Sequence, residues 1–321
     1  MKIVITDKIS DTSILLKYLP ADAEIVILDK STPTDEEVIE ACGDADAAIS
    51  EYAPFNKNVF DHCPKLKMVS NRAMGVDNIN IADAKACKVA IANVPDYCFD
   101  EVAEHGMTLI ACLLRNAVGY AIKVRAGEWD WSDGPVLKRM SNLTLGLIGC
   151  GQIPRRVARM AHGFGMTVVG YDPFLPKEVA EKAGIELVSM EELGARADAV
   201  LSHVPLSPDT RHLVNQAVFS TFQKSPVFVN TSRGLTVDQK ALCDAVKSGV
   251  VSRAMLDVVD KEPADFTDEI FSLENIYFTP HAAFYSEDAH EECHRRAAMN
   301  VTNYLAGKHE GISFVVDPAA L

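Results

Sequence analysis

Short apolar runs separated by helix-like stretches restrict the fold of this chain more than any other feature. Runs of this kind, without the alternation of a half-exposed strand, are typical of parallel strands buried on both faces. They form two series, one before residue 96 and one after residue 140. The first comprises residues 2–6, 24–28, 47–50, 66–70 and 89–95, and the second comprises residues 143–149, 167–172, 199–205, 226–230, 252–259 and 275–280. The pattern predicts an α/β protein with two doubly wound parallel-sheet modules.

The segment between the two series, residues 95–125, carries apolar residues at helical spacing. It predicts one long helix that links the modules, with Asp96 or Asp100 as its N-cap. Two tryptophans, Trp129 and Trp131, then interrupt the pattern. We interpret them as aromatic residues that pack on the surface or form a dimer arm, rather than as ligand contacts.

A second long helix is predicted near the C-terminus. Helical spacing runs from residue 286 to residue 305 and stops before Gly307, and residues 314–318 then form a short extended tail. The first part of this helix, residues 286–296, mixes Glu, His and Cys. Because the eight cysteines of the chain form no CxxC pair and no zinc-type spacing, we interpret the mixture as a solvated helix face and expect no metal site.

The charge balance restricts the partners of the chain. Of 321 residues, 31 are Lys or Arg and 45 are Asp or Glu, which gives a net charge of −14 at pH 7. Such a surface repels phosphate backbones and anionic lipid headgroups, so we expect neither nucleic acid nor a membrane as a partner. The apolar run 107–114 is too short to span a bilayer, and the N-terminus lacks the pattern of a signal peptide. We therefore expect a cytoplasmic protein.

The most specific local signal begins at the strand 143–149, which is followed by Gly151 and a helical stretch. In this arrangement Gly149 makes a tight turn, and Gly151 lets backbone amides approach a pyrophosphate at the helix N-terminus. Asp172 ends the next strand, where an acid accepts hydrogen bonds from the adenosine ribose and repels a 2′-phosphate. The segment predicts a dinucleotide site that prefers NAD to NADP. Pro154 replaces the third glycine of the pattern, but proline is tolerated in the first turn of a helix.

Polar segments follow three strands of the second series, at residues 230–234, 256–263 and 279–287. Ligands bind at the carboxyl ends of the strands in open α/β sheets. We therefore expect the functional site at this edge of the second module.

With these segments the sequence resembles the D-isomer-specific 2-hydroxyacid dehydrogenase family. The resemblance rests on RAMGVDNIN (72–80), NVPDYCFDEVAEH (93–105), GLIGCGQIP (146–154) with Asp172, HVPLSPDTRHLVN (203–215), NTSRGLTVDQKAL (230–242), LDVVDKEP (256–263) and TPHAAFYSE (279–287). It implies NAD-dependent reduction of a small 2-oxo acid to the (R)-2-hydroxy acid by a homodimer. It also implies a Rossmann NAD-binding domain at residues 100–286 and a discontinuous, flavodoxin-like substrate domain at residues 1–99 and 287–321.

The same resemblance implies a catalytic group of Arg233, Glu262 and His281. A guanidinium holds a carboxylate with two charge-assisted hydrogen bonds and polarises the neighbouring carbonyl. An imidazolium protonates the developing alkoxide, and an adjacent carboxylate raises the pKa of that imidazole. The residue types at these positions therefore suit the implied reaction.

The remaining implied contacts form two sets. The cofactor set comprises Gly149, Gly151, Gln152, Ile153, Asp172, His203, Val204, Pro205, Thr231, Asp257 and His281, with His203 contributing its backbone and Asp257 facing the nicotinamide. The substrate set comprises Met74, Gly75, Tyr97, Arg233, Phe284 and Tyr285, with the backbone amides around Met74 and Gly75 holding the substrate carboxylate. The aromatic side chains of this set predict an apolar substrate of small to medium size. Two alternatives remain open, namely that Asp257 is only a cap and that Tyr97 is only a packing residue. No functional role is assigned to His105, His212 and His294.

Three alternative functions compete with this prediction. One is a hydroxypyruvate, glyoxylate or phosphoglycerate-type reductase of the same family, since no sequence feature fixes the substrate side chain. Formate oxidation is disfavoured, because that branch of the superfamily has Gln where this chain has Glu262. An NAD(H)-sensing binding protein similar to the C-terminal-binding corepressors would keep the same three catalytic positions, but those proteins usually carry long disordered extensions, and none is evident in these 321 residues.

Overall fold

The first series of apolar runs forms neighbouring parallel strands in a computed structural model that describes residues 1–9 and 11–320. The elements of this part are β1 (Lys2–Ile5), α1 (Ser13–Tyr18), β2 (Glu24–Ile27), α2 (Asp35–Cys42), β3 (Ala47–Ser50), α3 (Lys57–His62), β4 (Met68–Asn71), α4 (Ile81–Ala86) and β5 (Ala90–Ala92). Their order in the sheet is β5-β4-β3-β1-β2. Alternate residues of β1 pack into different core clusters, Val4 on one face and Ile3 and Ile5 on the other. The strands are therefore buried on both faces, as predicted.

The second series forms a larger sheet. Its elements and helices are α5 (Phe99–Leu114), α6 (Ala117–Arg125), β6 (Thr144–Ile148), α7 (Gln152–Gly163), β7 (Thr167–Tyr171), α8 (Lys177–Lys182), β8 (Glu186–Leu187), α9 (Met190–Arg196), β9 (Ala199–Ser202), α10 (Gln216–Phe219), β10 (Val227–Asn230), α11 (Gln239–Lys247), β11 (Arg253–Leu256) and β12 (Ile276–Phe278). The sheet order is β12-β11-β10-β9-β6-β7-β8, and every pairing in it is parallel. This is the Rossmann arrangement with one added strand, so the predicted fold class is confirmed.

The C-terminal elements, α12 (Glu287–Leu305) and β13 (Phe314–Val316), return to the first sheet. β13 pairs antiparallel with β5, so the predicted extended tail is an edge strand. The interpretation of residues 286–296 as a solvated helix face is wrong for Cys293 and His294. Both side chains are buried, and Cys293 belongs to the core cluster that contains Ile3 and Ile5.

The described residues divide into two compact units, Met1–Tyr97 with Ser286–Leu321, and Cys98–Tyr285. The boundaries expected from the resemblance, after residues 99 and 286, lie within two residues of these.

The prediction of one long helix over residues 95–125 is wrong. Asn116 adopts a left-handed conformation with φ of 51° between α5 and α6, which are bent by 64°. The expected N-caps are also wrong, because Cys98 precedes α5 and no side chain caps it. No single described helix is long and apolar enough to cross a membrane, although α5 and α6 taken together meet that criterion by length and composition.

Candidate active site

The glycine-rich turn after β6 has the shape that a dinucleotide site needs. Gly149 has φ of +86°, and a Cβ at this position would lie 2.5 Å from the carbonyl oxygen of His203. Any other residue would therefore be strained and would clash with backbone. Gly151 has open space around its Cα and precedes α7, whose N-terminus has no side-chain cap. The N–H groups at this helix end suit a pyrophosphate.

Asp172 is held firmly at the end of β7. Its Oδ2 accepts the N–H of Cys150 at 2.9 Å, and its Oδ1 accepts those of Phe174 at 2.9 Å and Leu175 at 3.0 Å. The carboxylate thus ties the glycine turn to the next strand. Each carboxylate oxygen accepts more than one hydrogen bond, so the same group can also bind ribose hydroxyls. The turn, the uncapped helix and this acid together fit an NAD molecule.

His203 and Val204, two further residues of the predicted cofactor set, lie beside this turn. The Cβ of an alanine at Gly149 would lie 2.8 Å from the Cγ1 of Val204, and the His203 ring bonds the hydroxyl of Thr231 at 3.3 Å. Burial, with the charge of Arg233, lowers the pKa of His203 to about 4. His203 is therefore neutral at physiological pH, and its backbone is the part that faces the glycine turn.

Arg233 lies in a tight turn after β10 that its neighbours lock. The buried Asn230 donates from Nδ2 to the Arg233 carbonyl at 3.0 Å and accepts the N–H of Ser232 at 3.0 Å. A Cβ at Gly234 would lie 2.0 Å from the carbonyl oxygen of Val259. Only glycine allows this approach, which brings the Arg233 turn against the segment that leads to Glu262.

Glu262 and His281 form a direct pair. The Oε2 of Glu262 lies 2.5 Å from the Nδ1 of His281, and its Oε1 accepts the N–H of Val259 at 3.1 Å. Burial lowers the pKa of His281, but the hydrogen bond and charge of Glu262 outweigh burial and the opposing charge of Arg233, so that pKa lies above its ordinary value. His281 also has φ of 52°, an uncommon conformation for a residue other than glycine. The surrounding bonds hold this backbone in place.

Asp257 supplies most of those bonds. Its carbonyl accepts the N–H of His281 at 2.9 Å, and its carboxylate accepts the N–H groups of Ala282 at 2.9 Å and Ala283 at 3.0 Å. Burial raises the pKa of Asp257, but its hydrogen bonds outweigh burial and leave that pKa below its ordinary value. Asp257 is therefore an ionised anchor for the His281 loop, a role that was open at the sequence level.

Sequence reasoning missed His105, to which it assigned no role. Its Nε2 lies 3.0 Å from the hydroxyl of Thr279, and that hydroxyl donates to Asp257 at 2.5 Å. His105 thus connects α5 to the anchor of the His281 loop. The repeated polar residues of the 93–105 motif are the only signal that could have indicated it.

The predicted substrate set is divided between the two units. In the second unit the Phe284 ring lies edge-on to the His281 ring, with centroids 6.5 Å apart, and Tyr285 is exposed. In the first unit Met74 and Gly75 are half-buried residues of the loop after β4, and Tyr97 packs partly against the core cluster of α12. Tyr97 therefore has a packing contact besides the substrate role expected of it.

Comparison with known proteins places these features in context. Residues 107–283 match the sequence model of the D-isomer specific 2-hydroxyacid dehydrogenase NAD-binding domain. The chain is 35% identical over 284 residues to a glyoxylate reductase of Korarchaeum cryptofilum, covering 87% of this chain and 85% of that one. It is 34% identical over 315 residues to a D-3-phosphoglycerate dehydrogenase of Methanocaldococcus jannaschii, covering 96% of this chain and 58% of the longer relative.

Solved structures show the same architecture. A D-lactate dehydrogenase from Aquifex aeolicus, complexed with NAD and lactic acid, matches 98% of this chain and 99% of its own with a TM-score of 0.89 and 25% identity. An acyclic imino acid reductase in complex with NADPH and D-Arg matches 97% of this chain and 99% of its own, with a TM-score of 0.85 and 27% identity.

Proposed function

Since this chain belongs to the D-isomer-specific 2-hydroxyacid dehydrogenase family, we propose that it reduces a small to medium-sized, apolar 2-oxo acid to the (R)-2-hydroxy acid with NADH. The observation that carries this proposal is the hydrogen bond between His281 and Glu262, which favours the protonated imidazole beside the aromatic ring of Phe284. Membership of the family makes the chain an NAD-dependent oxidoreductase acting on CH–OH groups. The substrate side chain and the residue roles below are proposals.

His281 acts as the general acid. When bound, the reduced cofactor supplies a hydride to C2 of the 2-oxo acid. Because the Nδ1–H of the imidazolium is held by Glu262, the proton on Nε2 is the one delivered to the carbonyl oxygen. The neutral ring that remains keeps its Nδ1–H on Glu262, so the pair needs no rearrangement during the step.

Arg233 grips the substrate carboxylate and polarises the carbonyl. Its turn is locked by Asn230 and by the contact of Gly234 with Val259, so the guanidinium starts from a fixed backbone. A planar guanidinium gives two parallel hydrogen bonds to a carboxylate, which fixes the face of C2 that is presented. The resemblance also implies that the backbone N–H groups around Met74 and Gly75, in the first unit, bind a substrate carboxylate.

A phosphorylated substrate is disfavoured because Arg72, the cation next to this loop, is already engaged by other side chains. Its Nη2 lies 2.6 Å from the carboxylate of Glu51, and its Nη1 bonds the Nε2 of His294 at 3.1 Å. The cation that precedes the loop is thus neutralised and buried. Glyoxylate is the main alternative substrate, because the relative from Korarchaeum cryptofilum is named a glyoxylate reductase.

The exposed apolar residues after α5 support a homodimer. Trp129 is 90% exposed, Trp131 81% and Val136 93%, and Ile122 on α6 is also exposed. Exposed apolar clusters of this kind mark contact surfaces. We propose that a second copy of this chain covers them. Replacing both tryptophans by serine should shift the sedimentation coefficient from that of a dimer to that of a monomer, and an unchanged dimer would contradict the assignment.

The cytoplasmic location stays a prediction.

The substrate proposal is tested by steady-state reduction with NADH. The panel comprises glyoxylate, hydroxypyruvate, pyruvate, 2-oxoisocaproate, phenylpyruvate and 3-phosphohydroxypyruvate. We expect the highest kcat/KM for an unphosphorylated acid with an apolar side chain. A best rate with 3-phosphohydroxypyruvate would refute the pocket assignment, and a best rate with glyoxylate would establish the alternative.

A further inference from the structure

The loop after β4 directs its carbonyl oxygens inward and leaves its N–H groups unused. The carbonyl of Ala73 accepts the N–H of Val94 at 3.1 Å, and the carbonyl of Val76 accepts the N–H of Ile79 at 3.0 Å. Between them, the carbonyl of Met74 accepts the Nδ2 of Asn93 at 2.7 Å.

The fourth carbonyl, that of Gly75, accepts the Nδ2 of Asn71, also at 2.7 Å. In the part of the chain that the structure describes, the N–H groups of residues 73–76 donate to no protein atom. Four successive carbonyls are therefore satisfied while four successive N–H groups are not. Successive N–H groups of a turn that have no protein acceptor can bind an anion.

Both asparagine side chains are oriented by bonds on their far side. The Oδ1 of Asn93 accepts the hydroxyl of Ser313 at 3.0 Å, from the segment that leads into β13. The Oδ1 of Asn71 accepts the Nδ2 of Asn78 at 3.3 Å, and Asn78 also donates to the carbonyl of Ala53 at 2.9 Å. Because each amide oxygen is occupied, each Nδ2 faces a loop carbonyl.

The loop has no free cation to replace these dipoles. Arg72, which begins it, is held between Glu51 and His294. The attraction of the loop for an anion therefore depends on the direction of its N–H groups. That direction depends on the two asparagines, since each carbonyl they hold belongs to the same peptide plane as the N–H of the next residue.

We propose that Asn71 and Asn93 are positioning residues that hold the 73–76 loop as a carboxylate receptor. They touch neither substrate nor cofactor and act through the peptide groups whose carbonyls they bind. This inference deepens the proposed function and rests on it, because the carboxylate is that of the 2-oxo acid.

The test compares Asn71→Ala and Asn93→Ala with Asn56→Ala. Asn56 caps α3 in the same unit, where its side chain accepts the N–H of Val59. Replacing it therefore also lowers the stability of the protein, but Asn56 lies outside the loop. We expect KM for the best 2-oxo acid to rise about tenfold or more in each loop variant, as hydrogen bonds to a charged group are lost. The value of kcat and the Kd for NADH should change little, and Asn56→Ala should lower Tm without changing KM.

A variant that changes the charge of Asn93 distinguishes a positioning role of this residue from a purely structural one. In Asn93→Asp an ionised side chain has no donor for the Met74 carbonyl, whereas the protonated form has one. The KM of this variant, relative to the unchanged protein, should therefore fall as pH is lowered toward the pKa of the new carboxyl, which contact with a carbonyl raises above its ordinary value of about 4. If the Tm of the loop variants falls while their KM stays unchanged, the proposal is overturned.

A binding measurement keeps this result distinct from the proposed function. Oxamate, which resembles a 2-oxo acid but is not reduced, is titrated while the amide resonances of Gly75 and Val76 are recorded, because these are the N–H groups that Asn93 and Asn71 orient. If the unchanged protein reduces no 2-oxo acid, the proposed function fails; oxamate shifts that the asparagine variants abolish would still support the receptor. Absence of such shifts in the unchanged protein would overturn it.

Discussion

We propose that the two units attract an anion with different chemistry. In the first unit the loop 73–76 offers backbone N–H groups, and its neighbouring cation Arg72 is buried against Glu51. In the second unit the proposed groups are the side chains of Arg233 and His281. Backbone dipoles do not titrate in the physiological range, but an imidazole does. Changes in the first unit should therefore alter affinity, whereas changes in the second should also alter the pH dependence.

The largest effect is expected at His281. Replacing it by alanine removes the proton donor, and general acid catalysis contributes about 10²–10⁴-fold. His281→Ala should lower kcat by that range, while the Kd for NADH changes little, because the proposed cofactor contacts lie mainly in the Gly149 turn and at Asp172. Stopped-flow rates and fluorescence titration measure both quantities.

The control for this variant is His62→Ala. His62 lies exposed on α3 and bonds a carbonyl of its own helix at 2.8 Å. It should leave kcat unchanged. A His281→Ala enzyme with nearly full kcat would place the proton donor elsewhere.

The next effect concerns stability in the first unit. Arg72→Met removes the cation and leaves the mostly buried carboxylate of Glu51 without this guanidinium, which costs roughly 3–5 kcal/mol of unfolding free energy. The pH profile of kcat/KM should nevertheless keep its shape, because no titrating group of the second unit is changed. Urea unfolding and pH-rate measurements test the two parts.

The double variant Arg72→Met with Glu51→Gln serves as the control, since it removes both charges and should recover part of the stability. A shifted pH profile in the single variant would break the distinction between the two units.

A smaller effect is expected at Glu262. For 2-oxo acid reduction, kcat/KM should be flat at low pH and fall as pH rises through the pKa of His281, because only the protonated ring donates. Glu262 raises that pKa, while burial and Arg233 lower it. Glu262→Gln should therefore move the falling limb to lower pH.

Glu274→Gln, a change of an exposed acid in the same unit, should leave the limb in place. An unmoved limb in Glu262→Gln would show that the two residues are not coupled.

The smallest effect concerns cofactor choice. Asp172 should repel a 2′-phosphate, so NADH should be preferred to NADPH, and Asp172→Ser should narrow the ratio of the two kcat/KM values. The variant should also bind NADH less well, because Asp172 holds Cys150 and Phe174. Asp209→Ser, at an exposed acid of the same unit, should keep the ratio. Better turnover with NADPH in the unchanged protein would contradict the assignment.

Local patterns were sufficient to predict the strands and the glycine turn. A strand of the second sheet, its turn and the following helix are consecutive in sequence, so Gly149 and Asp172 could be placed from spacing alone. The break between α5 and α6 could not be predicted in this way. The Arg253 guanidinium bonds the side chain of Asn116 at 3.2 Å and the carbonyl of Leu113 at 3.1 Å, and no local pattern reveals a partner that lies so far along the chain.

The same reason explains what was missed in the site. His105 reaches Thr279 across 174 residues, and Asn93 is oriented by Ser313 from 220 residues away. Asparagines and histidines such as these look ordinary in sequence, because their roles come from tertiary contacts. The resemblance to a family could indicate which residues meet the substrate, but not which residues hold them in place.

The discontinuity of the first unit has a consequence for biosynthesis. Residues 98–285 are contiguous, so the second unit can fold as soon as it has left the ribosome. The sheet made by the first 97 residues must wait for α12 to cover one face and for β13 to pair with β5. Until then it offers nascent-chain partners an unpaired strand edge. The sheet of residues 1–97 therefore stays open on one face and along one edge until α12 and β13 have been synthesised.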